Sequence, residues 1–222
     1  MKILVLGDSH TKVFQYIQKN NLCKNIAFDV ILIGGATAQG MVNPNSKTNA
    51  MPIFCKKLKK ISANQYDKII IMLGEVDCGF VIWLRSEKYG ITVDEQINTS
   101  INNLFTFIKN NIIHKFNVED IILCGSILPT IKDNTNKSLL GGARAEVKAT
   151  QYERTLKTLE YNNILKSKCI ENGYKYIDIT TYTLDTNSGV INKYYLSEDI
   201  SDHHLSDKKT NNLWLLELNN II

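Results

Sequence analysis

An apolar run near the amino terminus, Ile3 to Leu6, breaks into Gly7-Asp8-Ser9-His10, and a helix-compatible segment opens near Lys12. This pattern sets Ser9 where the carboxyl end of a first strand turns into a helix, which is where open α/β sheets carry their chemistry. A serine hydroxyl needs a base, and the far end of the chain offers Asp202-His203-His204-Leu205. Serine, histidine and carboxylate together are the parts of a nucleophilic triad: the imidazole takes the hydroxyl proton and the carboxylate orients the ring. A Gly-Asp-Ser turn alone is more often a helix cap, and either histidine alone is more often a surface residue. The two clusters at opposite ends of one chain favour catalysis.

The elements that must position these residues follow from hydrophobic patterning. Short Ile/Leu/Val-rich runs predict strands at about 2–7, 28–33, 67–73, 119–125 and 175–179, each of the kind buried on both faces. Ile97, Ile101, Leu104, Phe105, Ile108 and Ile112 recur at helical spacing, and Thr92 with Glu95 three residues on forms a capping box. Further helices are expected over about 150–171 and 206–218. The order βαβαβα predicts a single domain over 1–222: a doubly wound, mainly parallel five-stranded sheet with helices on both faces. Two stretches without periodicity, 34–50 and 128–149, read as loops, the second as a lid.

Composition narrows the function classes. With 222 residues the chain can bury a core without disulfides or metal. Its five cysteines are odd in number and scattered, fitting neither a disulfide framework nor a zinc site, so no metal is expected. Cys78 beside the third strand reads as a buried structural thiol, because no basic partner adjoins it. The formal charge of +4 is mild, and Lys56 to Lys60, the one dense basic cluster, reads as a solvated helix face. No basic-aromatic pattern for nucleic acid is present. No apolar run reaches membrane-spanning length, and Asp8 interrupts the first one too early for a signal peptide. A cytoplasmic protein with no membrane partner is expected.

Four blocks in order carry a family resemblance: Gly7-Asp8-Ser9, the loop Gly34-Gly35-Ala36-Thr37-Ala38-Gln39-Gly40, Gly74-Glu75-Val76-Asp77, and Asp202/His204 before the last helix. Spread over nearly the whole chain, they resemble the SGNH, or GDSL-like, hydrolase superfamily. The resemblance implies Ser9 as nucleophile, His204 as base and Asp202 as its orienting acid. It also implies an oxyanion hole from the Ser9 amide and a second-block glycine, here given to Gly40. His204 is preferred to His203 because Leu-Ser follows it, as is common after the family's histidine.

Two positions depart from the family pattern. Val76 stands where the third block usually has an asparagine that donates to the oxyanion, a loss worth about 2.7–4 kcal/mol of barrier where such donors have been removed. Glu75 and Asp77 cannot substitute, since ionised carboxylates only accept hydrogen bonds. Either another N–H fills the hole or the reaction leans on it less. Asp202 also lies two residues before His204 where three is usual, which keeps Asp199 open as the alternative partner.

The Gly-Glu-Val-Asp-Cys block and the stretch Asn162 to Asp178 are similar to SGNH domains associated with surface-polysaccharide biosynthesis. That resemblance implies acyl chemistry on sugars. The expected function is acetyl transfer through Ser9 from acetyl-CoA, as co-substrate, to a sugar or nucleotide-sugar, with Glu75, Asp77 and Arg154 holding the acceptor. Arg144, in the second loop, is a candidate to meet a phosphate. The first alternative is a carbohydrate O-acetylesterase or general esterase with the same triad. The second, motivated by Val76, is a domain that binds carbohydrate without turning it over.

Overall fold

The computed structural model describes residues 1–222 except 63, 137, 139, 141, 200 and 201, and gives the backbone alone at 142 and 143. Seven strands and seven helices are present among the described residues: β1 Lys2–Gly7, α1 Lys12–Lys19, β2 Ala27–Leu32, α2 Ala50–Lys59, β3 Lys68–Met72, α3 Ile82–Tyr89, α4 Val93–Asn111, β4 Ile121–Cys124, α5 Gln151–Glu171, β5 Lys175–Ile177, the single turn α6 Thr180–Thr183, β6 Leu184–Asp185, β7 Val190–Ile191 and α7 Asp207–Asn219. Five strands form one parallel sheet in the order β2-β1-β3-β4-β5, as the patterning predicts. The small antiparallel pair β6-β7 was not expected; its two-residue strands are too short to leave a period-2 signal.

Alternation along the sheet explains the two helical layers. Leu4, Leu6, Ile69, Ile71 and Leu123 face one way and pack with residues of α2, α4 and α5. Their neighbours Ile3, Val5, Ile70, Met72 and Ile122 face the other way, against Phe14 and Ile17 of α1 and Trp214 and Leu218 of α7. Trp214 is a core residue, whereas Phe105 is only partly buried and stacks on Tyr174. The helix starts are fixed locally: Thr92/Glu95 on α4 and Thr150/Glu153 on α5 each form a reciprocal capping box. Among the described residues no helix is long and apolar enough to cross a membrane.

Strand β1 lies between β2 and β3, with Gly7 paired to Leu32 on one side and Met72 on the other. The chain leaves the sheet there, and the Asp8 amide still donates to the Met72 carbonyl at 3.2 Å. A Cβ on Gly7 would fall 2.2 Å from that carbonyl oxygen and 2.5 Å from Thr11 Cγ2. Only glycine allows the turn carrying Ser9 to sit this close to β3. Gly7→Ala is therefore expected to destabilise the fold by an amount at or above the about 1–3 kcal/mol typical of overpacking, read as a lower urea midpoint at unchanged slope.

Candidate active site

Asp8 builds the turn that presents Ser9. Its carboxylate accepts the His10 amide at 2.9 Å, its carbonyl accepts the Thr11 hydroxyl at 2.7 Å, and residues Ser9–Thr11 make one 3-10 turn leading into α1. Burial pushes the Asp8 carboxyl up to about 7, against the opposing field of His10. The Ser9 amide opens this turn and so has no acceptor within it.

The segment before α7 brings in His204. The Leu196–Leu205 bridge and the Ser206 amide on the Tyr195 carbonyl, 2.8 Å, fix its course, and Thr130 Oγ1 donates to the His203 carbonyl at 2.7 Å. His204 Nε2 then lies 2.7 Å from Ser9 Oγ, and His204 Nδ1 lies 2.5 Å from Asp202 Oδ1. The same carboxylate oxygen accepts the His204 amide at 3.0 Å, so a tight local turn makes the two-residue spacing workable. Asp202, rather than Asp199, is the carboxylate that meets the ring. Burial opposes the Asp202 charge, but the hydrogen bonds from His204 outweigh it and hold the carboxyl below its ordinary value. Burial and then the nearby charge of His10 lower the pKa of His204, which favours the neutral, proton-accepting ring.

The third block is used differently from the expectation. Glu75 does not face an open acceptor site: it is buried, with Oε2 2.9 Å from Nε2 of the equally buried His10. Burial disfavours its charge, but His10, helped by Arg144, holds the carboxyl down at about 2. Burial likewise works against the His10 imidazolium, yet Glu75 and Asp8 raise its pKa above the ordinary 6.5. Asp77 is also internal. Its carboxylate accepts the amides of Ala38 at 2.7 Å and Gln39 at 3.0 Å and the Ser100 hydroxyl at 2.8 Å, tying the second-block loop to α4. Burial nonetheless pushes its carboxyl up to about 6. Val76 points into the core and Cys78 is fully buried with its thiol pushed up, so neither meets a substrate.

Gly40 and Arg154 are corrected in the same way. The Gly40 amide is spent inside its own turn, on Thr37 Oγ1 at 2.9 Å and the Thr37 carbonyl at 3.2 Å, and has nothing left to donate to an oxyanion. Gly35, three residues past the end of β2 at a φ of 73°, has an N–H that makes no hydrogen bond among the described residues. Arg154 is buried and donates to the carbonyls of Ile131 at 2.7 Å and Ala149 at 3.3 Å, clasping the two ends of the 128–149 loop rather than a ligand.

His10 was the residue that sequence reasoning quoted without giving it a role. Its ring centroid is 4.6 Å from that of His204, and His203 lies 4.1 Å from His204 on the centroid measure. Ring nitrogens of His10, His203 and His204 all lie within 4.8 Å of one another, the nearest approach to a metal-ligand set among the described residues. Two of the three are engaged, with Glu75 and with Ser9 and Asp202. Burial and the Arg144 charge push His203 down to about 4, so it is neutral near pH 7.

The Glu75–His10 pair has a definite pH signature. A raised histidine pKa contributes stability that is present below pH 6.5 and lost as pH rises through the folded value. A lowered Glu75 pKa contributes stability that is present above 4.5 and lost as pH falls through about 2. Glu75→Gln should therefore cost most between those limits, about 3–5 kcal/mol at pH 5.5 for breaking a buried pair, and clearly less at pH 9. Urea unfolding of both proteins at the two pH values reads this difference.

No family model and no curated protein sequence matches the chain. Solved structures do match in shape. A member of the lipolytic G-D-S-L family from Veillonella parvula is 17% identical over 100% of this chain and 98% of its own, with a TM-score of 0.61. A GDSL-like lipase from Bacteroides thetaiotaomicron is 13% identical over 100% and 89%, at 0.61. A carbohydrate acetylesterase family member from Sinorhizobium meliloti is 12% identical over 99% and 96%, at 0.60. With the parallel sheet in the order β2-β1-β3-β4-β5 and helices on both faces, the chain has the fold of the SGNH, or GDSL-like, hydrolases.

Proposed function

We propose that this protein is a serine esterase acting on O-acyl, chiefly O-acetyl, esters of carbohydrates. The observation that carries the reading is the unbroken hydrogen-bonded chain from Asp202 through His204 to Ser9 at the carboxyl end of β1. Ser9 Oγ attacks the ester carbonyl while its proton passes to His204 Nε2. The same proton is then delivered to the departing sugar oxygen as the C–O bond breaks, leaving an acyl-enzyme. Water repeats the sequence: it gives a proton to His204, attacks the acyl carbon and frees Ser9 and the carboxylic acid. Oxyanion stabilisation is assigned to the Ser9 amide and, in place of Gly40, to the Gly35 amide.

The sugar as substrate class is supported by the carbohydrate acetylesterase among the similar structures and by an open cavity of about 520 Å³ that reaches Asp202 and is lined by Thr130, Lys132, Thr135, Lys193 and Leu196. Acetyl transfer from acetyl-CoA to a sugar or nucleotide-sugar has less support. Glu75 and Asp77, the carboxylates expected to hold its acceptor, are both occupied internally. A binding domain without turnover is disfavoured by the alignment of Ser9, His204 and Asp202.

Ser9→Ala and His204→Ala should each lower kcat/KM for an acetylated xylo-oligosaccharide by at least about 10³-fold, and the double variant should be little worse than either. A fluorophosphonate should label Ser9, as read by mass spectrometry; a folded protein that resists it and turns over no ester refutes the reading. The acid limb of the pH profile should lie below pH 6.5, with the rate falling as His204 gains a proton. Acetyl from acetyl-CoA accumulating on Ser9, discharged by sugars faster than by water, would instead establish transfer.

A further inference from the structure

We propose that a second cavity, lined by Lys132, Asp133, Arg144, Lys148, Arg154 and Gly79, binds the anionic group, a phosphate or a carboxylate, of the carbohydrate ester; this rests on the esterase reading and narrows its substrate to charged sugars. The cavity encloses about 340 Å³ and presents four cationic side chains, Lys132, Arg144, Lys148 and Arg154, against the single carboxylate of Asp133. Most of those charges are already used. Asp133 accepts the Gln151 amide at 2.5 Å and stands 3.8 Å from Arg154. Arg154 donates through Nε and Nη2 to the carbonyls of Ala149 and Ile131, and Lys148 pairs with Glu87.

Lys132 and Arg144 remain, and neither has an ion-pair partner among the described residues. The Arg144 guanidinium lies over the Phe80 ring at 4.6 Å, while its Nε is buried without a hydrogen-bond acceptor. Stacking holds the planar cation in place and leaves its N–H groups unspent. A buried N–H lacking an acceptor is an unmet demand, and a carboxylate or phosphate oxygen is the group whose geometry meets an arginine fork.

The cavity borders the side chains packed beside Ser9 and His204. A Cβ on Gly79, in its wall, would lie 2.9 Å from Glu75 Oε1, and Glu75 contacts His10, whose ring adjoins His204. The Arg144 charge accordingly acts on His10, Glu75 and His203. Lys132 and Thr135 also line the larger cavity that reaches Asp202, so the two spaces share a wall. In the proposed binding mode the ester lies near Ser9 and the charged substituent at Arg144.

Calorimetric titration with glucose 1-phosphate, glucuronate and methyl glucoside, on wild type, Arg144→Gln and Lys132→Gln, tests the site without requiring turnover. Saturable binding of at least one of the two anions is expected, weakened about tenfold or more in each variant, with no binding of the neutral sugar at the same concentrations. The better-binding anion identifies the group. In parallel, the ratio of kcat/KM for the acetylated anion to that for acetylated methyl glucoside should fall about tenfold in Arg144→Gln; the neutral ester serves as the internal control. Lys132 is exposed, so its variant keeps the test valid if Arg144→Gln misfolds. Anion binding absent from wild type, or equal in all three proteins, overturns the proposal. Loss of anion binding in the variants of a protein whose Ser9 resists fluorophosphonate would uphold the anion site while removing the esterase reading.

Discussion

Strand β1 is hydrogen-bonded on both sides, to β2 and β3, and everything at the candidate site is placed relative to the point where it ends. In a parallel sheet every strand finishes on the same edge, so the loops after β1, β2, β3 and β4 converge there. Gly7 lets the turn press against the Met72 carbonyl, and Asp8 then closes that turn on its own backbone. The position of Ser9 is set by this local geometry. His204 needs to arrive from one direction only, along the segment tied by Leu205 and by Thr130.

The cost of this arrangement is three buried carboxylates, Asp8, Glu75 and Asp77, crowded at the ends of β1 and β3. Each is compensated differently. Glu75 has a cationic partner in His10 and stays ionised down to about pH 2. Asp77 has three hydrogen-bond donors but no ion-pair partner among the described residues, and burial raises it to about 6. Asp8 has a backbone donor and sits within the field of the other two, and it is raised to about 7. Burial pushes all three up; only at Glu75 do the nearby cations outweigh it, whereas at Asp8 the His10 charge opposes burial without overcoming it. The His10 charge that steadies Glu75 also lowers the pKa of His204, so the electrostatics of the third block reach the base.

Similarity in shape at 12–17% identity establishes the fold and leaves chemistry to the site. The Ser9–His204–Asp202 alignment has the geometry of a nucleophilic triad. Substrate choice must come from what surrounds it. Here the surroundings depart from the family pattern: an apolar Val76 and a His10–Glu75 pair occupy the region where an asparagine donor is usual, and cations line the neighbouring cavity.

Local and periodic features were legible in the sequence. Apolar runs located all five strands of the main sheet within a few residues, helical spacing gave α4, α5 and α7, and Thr92 with Glu95 announced its own cap, because each depends on neighbours a few positions away. Ser9, His204 and Asp202 were readable from residue type and position at opposite ends of the chain. The partners of Glu75, Asp77, Gly40 and Arg154 were not. A carboxylate at a strand end can face solvent, a cation or a loop amide with equal plausibility in sequence, and Asp77 finds its amides 38 and 39 positions away. The sequence by itself determined the sheet and its helices and singled out Ser9, His204 and Asp202, since these follow from periodicity and side-chain chemistry. Only the tertiary structure decided which polar groups are spent on one another and which remain for a ligand, because desolvation forces a partner on every buried charge and chain crossing alone selects that partner.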